Sequence, residues 1–200
     1  PFTDMAVALG YAVATRGADH LRGTMPCISS EDRRLKEIFG DPETLQKYMD
    51  NPRSIEKKGV FTALNEDGMA MVNALNICCF VVGDTRRKRL VVEDLAELMS
   101  TCTGVDINGD DLMKVGERIT NIEKAFNVRE GMRRKDDTLP RSFFVEEETE
   151  WGTTGISEDN FQKMLDEYYD FRGWDKEGIP TRKKLEELGL SYVAGQIGAE

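Results

Sequence analysis

The chain has 200 residues, of which 40% are hydrophobic, and a formal net charge of −10. This length fits one or two domains, and this apolar fraction is enough to bury a core. The acidic balance argues against a nucleic-acid surface, which needs a basic patch. The one strongly basic run, residues 86–89, is typical of a solvated loop or of a contact with an acidic partner.

No apolar run approaches the roughly 20 residues that a membrane helix needs, and no secretory signal opens the chain. The cysteines are Cys27, Cys78, Cys79 and Cys102. Their spacing matches neither a zinc site nor a disulfide framework, and a bridge between the adjacent pair would be strained. We therefore expect reduced thiols and a cytoplasmic protein.

Residues 5–15 form the first predicted helix. They are apolar nearly all round, which predicts a helix that is buried on most sides. Asp4 or Thr3 can cap its start, and Gly17 can end it. Because this most apolar helix lies at the extreme N-terminus, we expect that it needs a large partner to cover it.

Three further helices follow in the first half of the chain. We expect a short one near residues 31–38 and another after Asp41, with Pro42 at its first position. The longest covers residues 54–78 and is capped by Ser54. Its apolar residues recur at helical spacing on one stripe, formed by Val60, Leu64, Met71, Leu75 and Cys78.

The second half contains four predicted helices, at residues 91–100, 110–126, 157–169 and 181–188. Ser157 and Thr181 cap the last two, and Gly189 ends the chain's final helix. The expected inward-facing residues are Leu112, Val115, Ile119, Ile122 and Phe126 on the second helix, and Phe161, Leu165 and Tyr168 on the third.

A long surface connection joins these helices at residues 129–157. Its best strand candidate is 143–145, and residues 146–150 form an acidic, solvated edge. No internal repeat and no long period-2 stretch occurs. The sequence therefore predicts an all-α protein, with one helical domain at residues 1–90 and a second at 91–200.

Two local strings contain the residues best suited to chemistry. His20, the only histidine, lies between Arg16 and Arg22. Two nearby guanidiniums suit an anion such as a phosphate and favour a neutral imidazole that can accept a proton. A lone histidine beside a helix end is more often a cap or a core residue, and a free cysteine such as Cys78 is more often a small buried hydrophobe.

The chain nevertheless resembles the C-terminal part of the tungsten–pterin aldehyde ferredoxin oxidoreductases. Three strings carry the resemblance: Arg-Gly-x-x-His-Leu-Arg at residues 16–22, Asn73 to Cys78, which aligns with the family's Asp-x-x-Gly-Leu-Cys, and residues 166–175. It extends from about Met5 to Leu190, nearly the whole chain. The expected fold is the irregular multi-helix C-terminal region of a larger tungstopterin oxidoreductase.

The resemblance implies roles for seven residues. His20 would lie next to the tungsten and move protons, while Cys78 would be the fourth thiolate ligand of a [4Fe–4S] cluster. The remaining residues would contact the bis-pterin cofactor, with tungsten or molybdenum as its metal: Arg16 and Arg22 at its phosphates, and Asn73, Ile77 and Cys79 around it. An isolated thiolate cannot hold a cluster, so the other three cysteines are expected upstream of Pro1, with a β-rich pterin-binding domain.

The implied reaction is oxidation of aldehydes to carboxylic acids, with electrons leaving through the cluster to ferredoxin or to an iron–sulfur subunit. We expect a homo- or hetero-oligomer and no activity of the fragment alone. Asn73 replaces the family's Asp and Asn76 its Gly; Asn keeps a carbonyl acceptor and tolerates a left-handed backbone. Two alternatives stay open: a tungsten subunit that reduces an aromatic acyl-CoA thioester, and a non-catalytic helical scaffold.

Overall fold

A computed structural model describes residues 4–23, 33–83, 89–150 and 152–199. In these ranges the chain forms ten α-helices and one antiparallel hairpin, which confirms the predicted all-α class. The helices are α1 (Met5–Val13), α2 (His20–Gly23), α3 (Arg33–Phe39), α4 (Pro42–Asp50), α5 (Lys58–Ala74), α6 (Val92–Thr103), α7 (Gly109–Arg129), α8 (Glu158–Arg172), α9 (Arg182–Glu187) and α10 (Ser191–Ile197). The hairpin pairs β1 (Glu147–Thr149) with β2 (Gly152–Thr154). Thr3, Cys27, Trp151 and residues 86–88 lie outside the described part.

Helix α5 is the central element of the fold. It contacts α1, α2, α7 and α8, and every residue from Thr62 to Val72 is buried. Two glycines allow its neighbours to approach: a Cβ at Gly59 would lie 2.5 Å from the Tyr168 amide nitrogen of α8, and one at Gly116 of α7 would collide with the Asp67 carbonyl oxygen. These contacts join residues before position 90 to residues after it. The division into domains 1–90 and 91–200 stays a prediction.

The N-terminal helix is covered from within the chain, so the expectation that α1 needs an external partner was wrong. Ala8 and Leu9 have no exposed surface. They share a core cluster with Phe161, Leu165 and Tyr168 of α8, the three residues predicted to face inward. Ala63 of α5 belongs to the same cluster. The covering residues are therefore more than 50 positions away in sequence, and those of α8 more than 140, so the local pattern of α1 could not reveal them.

Four predicted caps are confirmed. Asp4 accepts a hydrogen bond from the Ala6 amide and Asp41 accepts from Glu43 and Thr44, while Ser157 and Thr181 cap α8 and α9. These are local side-chain-to-backbone contacts, which explains why sequence alone located them. Among the described helices, none combines the length and apolarity that crossing a bilayer requires.

The predicted start and end of the long helix were wrong. Helix α5 begins at Lys58 rather than at Ser54, because the carboxylate of Glu167 on α8 accepts hydrogen bonds from the Lys57 and Gly59 amides at 2.9 and 2.7 Å. It ends at Ala74, since Asn76 adopts a left-handed backbone with φ of 57°. A distant residue therefore caps the start of this helix, and a local one ends it.

The predicted inner face of α7 was also wrong in part. Leu112 is buried, but Ile122 and Phe126 are 41% and 55% exposed. The buried face instead includes the polar side chains of Thr120, Asn121 and Lys124. Periodicity assigns apolar residues to the core, whereas this helix directs polar groups at buried partners on other elements.

Three smaller predictions need correction. Residues 143–145 are not a strand, because Arg141–Phe144 forms a 3₁₀ turn and pairing begins at β1. Helix α6 continues to Thr103, beyond the predicted end at residue 100. Helix α9 is not the last one: after Gly189 the chain forms α10, whose Val193 and Ala194 pack against Leu185.

Candidate functional site

The segment with His20 is a tight connection between α1 and α2. Gly17 has φ of +90°, a conformation that glycine adopts without strain. Asp19 then accepts a hydrogen bond from the Leu21 amide at 2.8 Å and another from the Arg16 guanidinium. His20 follows as the first residue of α2, and it is exposed.

The carboxylate of Asp19 holds this connection together. Partial desolvation opposes its ionisation, but the hydrogen bonds from the Leu21 amide and from Arg16 outweigh that cost and lower the pKa of Asp19. The side chain therefore stays charged at neutral pH. It anchors Arg16 at the surface, where 56% of the arginine side chain is exposed.

Arg22 points in a different direction. Its guanidinium lies 3.2 Å from Glu123 of α7, and its side chain is 22% exposed. The other oxygen of Glu123 accepts from the Thr15 hydroxyl at 2.5 Å. Because Arg16 and Arg22 each already have a carboxylate partner, they do not form an open two-arginine anion pocket on their own. The Nε of Arg22 is buried and has no hydrogen-bond partner among the described residues.

The second segment follows the C-terminus of α5. The left-handed Asn76 reverses the chain, and the Ile77 amide donates to the Val72 carbonyl at 3.2 Å. Cys78 then lies in an extended conformation before a 3₁₀ turn at Cys79–Val81. The predicted tolerance of Asn76 for a left-handed backbone is confirmed, and its effect is to place Cys78 outside the helix.

The side chains of this segment alternate in their burial. Ile77 and Cys79 pack against the core cluster beneath α5, whereas Asn73 and Cys78 are exposed. Phe80 next to them is 63% exposed, a large apolar surface beside a thiol. An accessible thiolate can ligate a metal, and the described residues contain no group of three or more His, Cys, Asp or Glu side chains that could do so by themselves.

Both segments lie along the same half of α5. Gly23 of α2 packs directly on the Glu66 side chain, and Arg22 and Ala70 line one small cavity. Ala70 precedes the last residue of α5 by four positions, which is about 6 Å along a helix. The fold thus packs α2, which begins at His20, against the helix that leads into the Cys78 segment.

A buried ionic network beneath α2 was not predicted. Arg172 of α8, 1% exposed, donates to Asp67 at 2.5 Å and to Glu66 at 2.8 Å. Tyr168 donates to the same Glu66 oxygen at 2.5 Å, and Thr120 donates to Asp67 at 3.0 Å. The sequence feature that could have indicated this network is the adjacent pair Glu66 and Asp67 within a predicted buried helix, together with Arg172 in the 166–175 string.

The two acids resist ionisation. Desolvation raises the pKa of Glu66 and raises that of Asp67 to about 6, and Arg172 offsets this only in part. One guanidinium faces two carboxylates, so it cannot neutralise both. The 166–175 string therefore has a structural role that its sequence did not reveal: it supplies the counter-charge for the middle of α5.

A second buried network holds the same string against α7. Lys124 lies 2.5 Å from Asp137, which also accepts from the Tyr169 hydroxyl. The indole of Trp174 donates to Asn121 at 2.9 Å. These partners explain why α7 turns a polar face inward, and they bury Trp174, which is 5% exposed.

Comparison with known proteins agrees with this arrangement. A family model described as "Aldehyde ferredoxin oxidoreductase, domains 2 & 3" matches residues 2–190, and the chain belongs to this family of oxidoreductases. It is 33% identical over 185 residues to the tungsten-containing aldehyde ferredoxin oxidoreductase of Pyrococcus furiosus and 34% identical over 185 residues to that of Thermococcus kodakarensis. Each match covers 92% of this chain and 27% of the relative, so the chain spans about a quarter of their length.

A solved structure shares the fold. The active-site complex BamBC of benzoyl coenzyme A reductase, determined with 1,5-dienoyl-CoA, superposes with a TM-score of 0.73. The sequence identity is 20%, and the match covers 96% of this chain and 31% of that one. The two chains therefore share the irregular all-α architecture.

Proposed function

We propose that this chain is the helical part of a tungsten–pterin enzyme that oxidises aldehydes to carboxylic acids, and that it is inactive without the remainder of its polypeptide. Family membership and the names of the Pyrococcus and Thermococcus relatives support the reaction class. The observation that carries the proposal is that α2, which begins with the exposed His20, packs against α5, the helix that leads into the exposed Cys78. Together they offer a proton-moving group and a cluster thiolate.

We assign the proton transfer to His20. Oxidation of an aldehyde with water to a carboxylic acid releases two electrons and two protons. A bound tungsten–pterin supplies the two-electron chemistry. His20 accepts a proton at a ring nitrogen and passes it to solvent, a role for which an exposed position at the start of α2 is suited.

Cys78 supplies the electron route. Its thiolate would ligate a [4Fe–4S] cluster whose other three ligands are cysteines expected upstream of Pro1. The exposed apolar Phe80 and Val81 would shield that cluster from water once the rest of the polypeptide covers them. Such a cluster would pass electrons to ferredoxin or to an iron–sulfur subunit, in a cytoplasmic homo- or hetero-oligomer.

The remaining residues hold the cofactor. Arg16 and Asn73 are exposed, and we assign them to a pterin phosphate and to the pterin ring. We assign Arg22 to the same phosphate group as Arg16. Its guanidinium is held in place by the ion pair with Glu123. Ile77 and Cys79 anchor the segment in the core, so that their backbone borders the pterin.

A second candidate is a tungsten subunit that reduces an aromatic acyl-CoA thioester. The departures from the family motif at Asn73 and Asn76 favour it. At Asn73 the amide lacks the negative charge of the motif's Asp, which changes the surroundings of the pterin. Assays of aldehyde oxidation with an artificial electron acceptor, and of acyl-CoA reduction with a strong reductant, separate the two. Activity in the second assay alone would replace our primary proposal.

The direct test is metal analysis and electron paramagnetic resonance of the whole polypeptide. We expect tungsten or molybdenum and about four irons per polypeptide. Cys78→Ala should destroy or convert the reduced cluster signal, whereas Cys102→Ala, an exposed thiol on α6, should leave it unchanged. An unaltered signal in Cys78→Ala would contradict the assignment, and a protein without metal would favour a scaffold.

A further inference from the structure

The two adjacent acids of α5 differ in their surroundings. Arg172 and Thr120 both donate to the Oδ1 of Asp67. Arg172 and Tyr168 both donate to the Oε2 of Glu66. The second oxygen of Glu66, Oε1, is directed at α2: it lies 3.6 Å from the position that a Cβ on Gly23 would occupy.

A small cavity lies on this side of Glu66. It has a volume of about 10 Å³ and is lined by Thr15, Arg22, Glu66, Ala70, Thr120 and Glu123. This is roughly the space of one water molecule, and the lining is polar enough to bind it. The buried Nε of Arg22, which has no partner among the described residues, is a donor for such a water.

The charges around the acids do not balance. Glu66 and Asp67 are each 5% exposed, and Arg172 is the cation that hydrogen-bonds to them. The other charged or titratable groups beside the cavity and α2 are Tyr168 on α8, Glu117 and Glu123 on α7, and Arg22 on α2. A second cavity, on the side of Asp67, is also lined by Arg34, which is paired with Asp110 at 2.9 Å, by the exposed Lys114 and by Lys184. Glu117 is paired with Lys184 at 2.9 Å and Arg22 with Glu123 at 3.2 Å, so neither cation compensates the second buried carboxylate.

We propose that Glu66 stays protonated at neutral pH, with its proton on Oε1, and that it is a proton-holding site facing the cavity beneath α2. Asp67 is then the carboxylate that forms the ion pair with Arg172, and the charges balance. The raised pKa of both acids agrees with this distribution. On ionisation Glu66 gives its proton to a water in the cavity, and no electrons move.

This site has a use in the reaction that rests on the proposed function. Gly23 of α2 packs on the Glu66 side chain with no room for a Cβ, and α2 begins at His20. The protonated carboxyl of Glu66 lies beneath the helix that carries His20. It can therefore exchange a proton with the surroundings of His20 during turnover. The existence of the protonated carboxyl does not depend on tungsten or on His20.

Infrared spectroscopy of the whole enzyme tests the site without turnover. A protonated carboxyl has a carbonyl stretch distinct from that of a carboxylate, and this band shifts in deuterium oxide. We expect such a band at pH 7 in the wild type. Glu66→Gln should remove it with no fall in Tm, because glutamine is isosteric and neutral. The control Glu97→Gln, at an exposed position on α6, should keep the band.

Asp67→Asn gives a second, independent outcome. The substitution removes the Asp67 carboxylate, so Glu66 becomes the one acid paired with Arg172. Glu66 should then ionise, and the band should be lost at pH 7 although the Glu66 carboxyl group is still present. If one variant does not fold, the other decides. A wild type without the band, or a band that survives in Glu66→Gln, overturns the proposal; inactivity of His20 variants would count against the proposed function instead.

Discussion

Removal of the Arg172 side chain should have a large and pH-dependent effect on stability. The guanidinium is buried and donates to Glu66, Asp67 and the Ala63 carbonyl oxygen. Arg172→Met keeps much of the apolar volume but leaves a buried carboxylate on Asp67 without its counter-ion. We therefore expect a penalty set by an uncompensated charge rather than by lost packing.

The magnitude follows from the burial of the pair. Removal of one partner of a buried ion pair costs about 3–5 kcal/mol. Since 1 kcal/mol shifts the Tm of a domain of this size by about 2–4 °C, the fall in Tm should be about 6–20 °C. An exposed arginine offers a control: Arg118→Met on α7 should change stability by less than about 0.5 kcal/mol.

The dependence on pH has a definite sign. Folding raises the pKa of Asp67 from 3.8 to about 6. Its contribution to stability is therefore fully present below pH 3.8 and is lost as pH rises through 6. Without Arg172 the pKa of Asp67 in the folded state rises further, and the loss of stability extends to higher pH. Thermal unfolding of wild type and variant at pH 5 and pH 8 should show the larger deficit at pH 8.

An equal deficit at both pH values, or a Tm within about 3 °C of wild type at pH 8, would refute this electrostatic account, since that shift corresponds to only about 1 kcal/mol. A partial rescue strengthens it. Arg172→Met combined with Asp67→Asn removes the uncompensated charge and should be more stable at pH 8 than Arg172→Met alone. Additive losses in the double variant would indicate that packing dominates.

The remaining predictions concern the site and the central helix. His20→Ala should lower turnover by roughly 10²–10⁴-fold, the usual range for a positioned acid–base group, with tungsten content near wild type. Arg16→Ala should instead lose cofactor, because a bound anion loses a charge-assisted partner; metal content measured beside activity distinguishes the two, and the reverse pattern would contradict both roles. Gly116→Ala should destabilise by about 1–3 kcal/mol or more, because its Cβ would collide with the Asp67 carbonyl oxygen. Gly195→Ala in α10, where a Cβ meets nothing within 4 Å, should stabilise by about 0.5–1 kcal/mol in the same melting experiment.

The sequence by itself determined the local features of this protein. The helical class, the capping residues Asp4, Asp41, Ser157 and Thr181, and the turn at Asn76 all depend on contacts within a few residues. The family resemblance likewise rests on short strings. Such features are readable because the atoms that stabilise them are adjacent in the chain.

Only the tertiary structure decided where polar and charged side chains are buried. The start of α5 depends on Glu167, more than a hundred residues beyond Lys57. The polar inner face of α7 exists because Lys124 meets Asp137 in the core.

The ionic network shows the same limit most clearly. Glu66 and Arg172 lie 106 positions apart, yet they form a contact of 2.8 Å. A hydrophobicity pattern treats every charge as exposed, because it contains no information about a distant partner. Burial of a charge becomes acceptable only when the counter-ion is in place, and the packing of α8 against α5 is what puts Arg172 there.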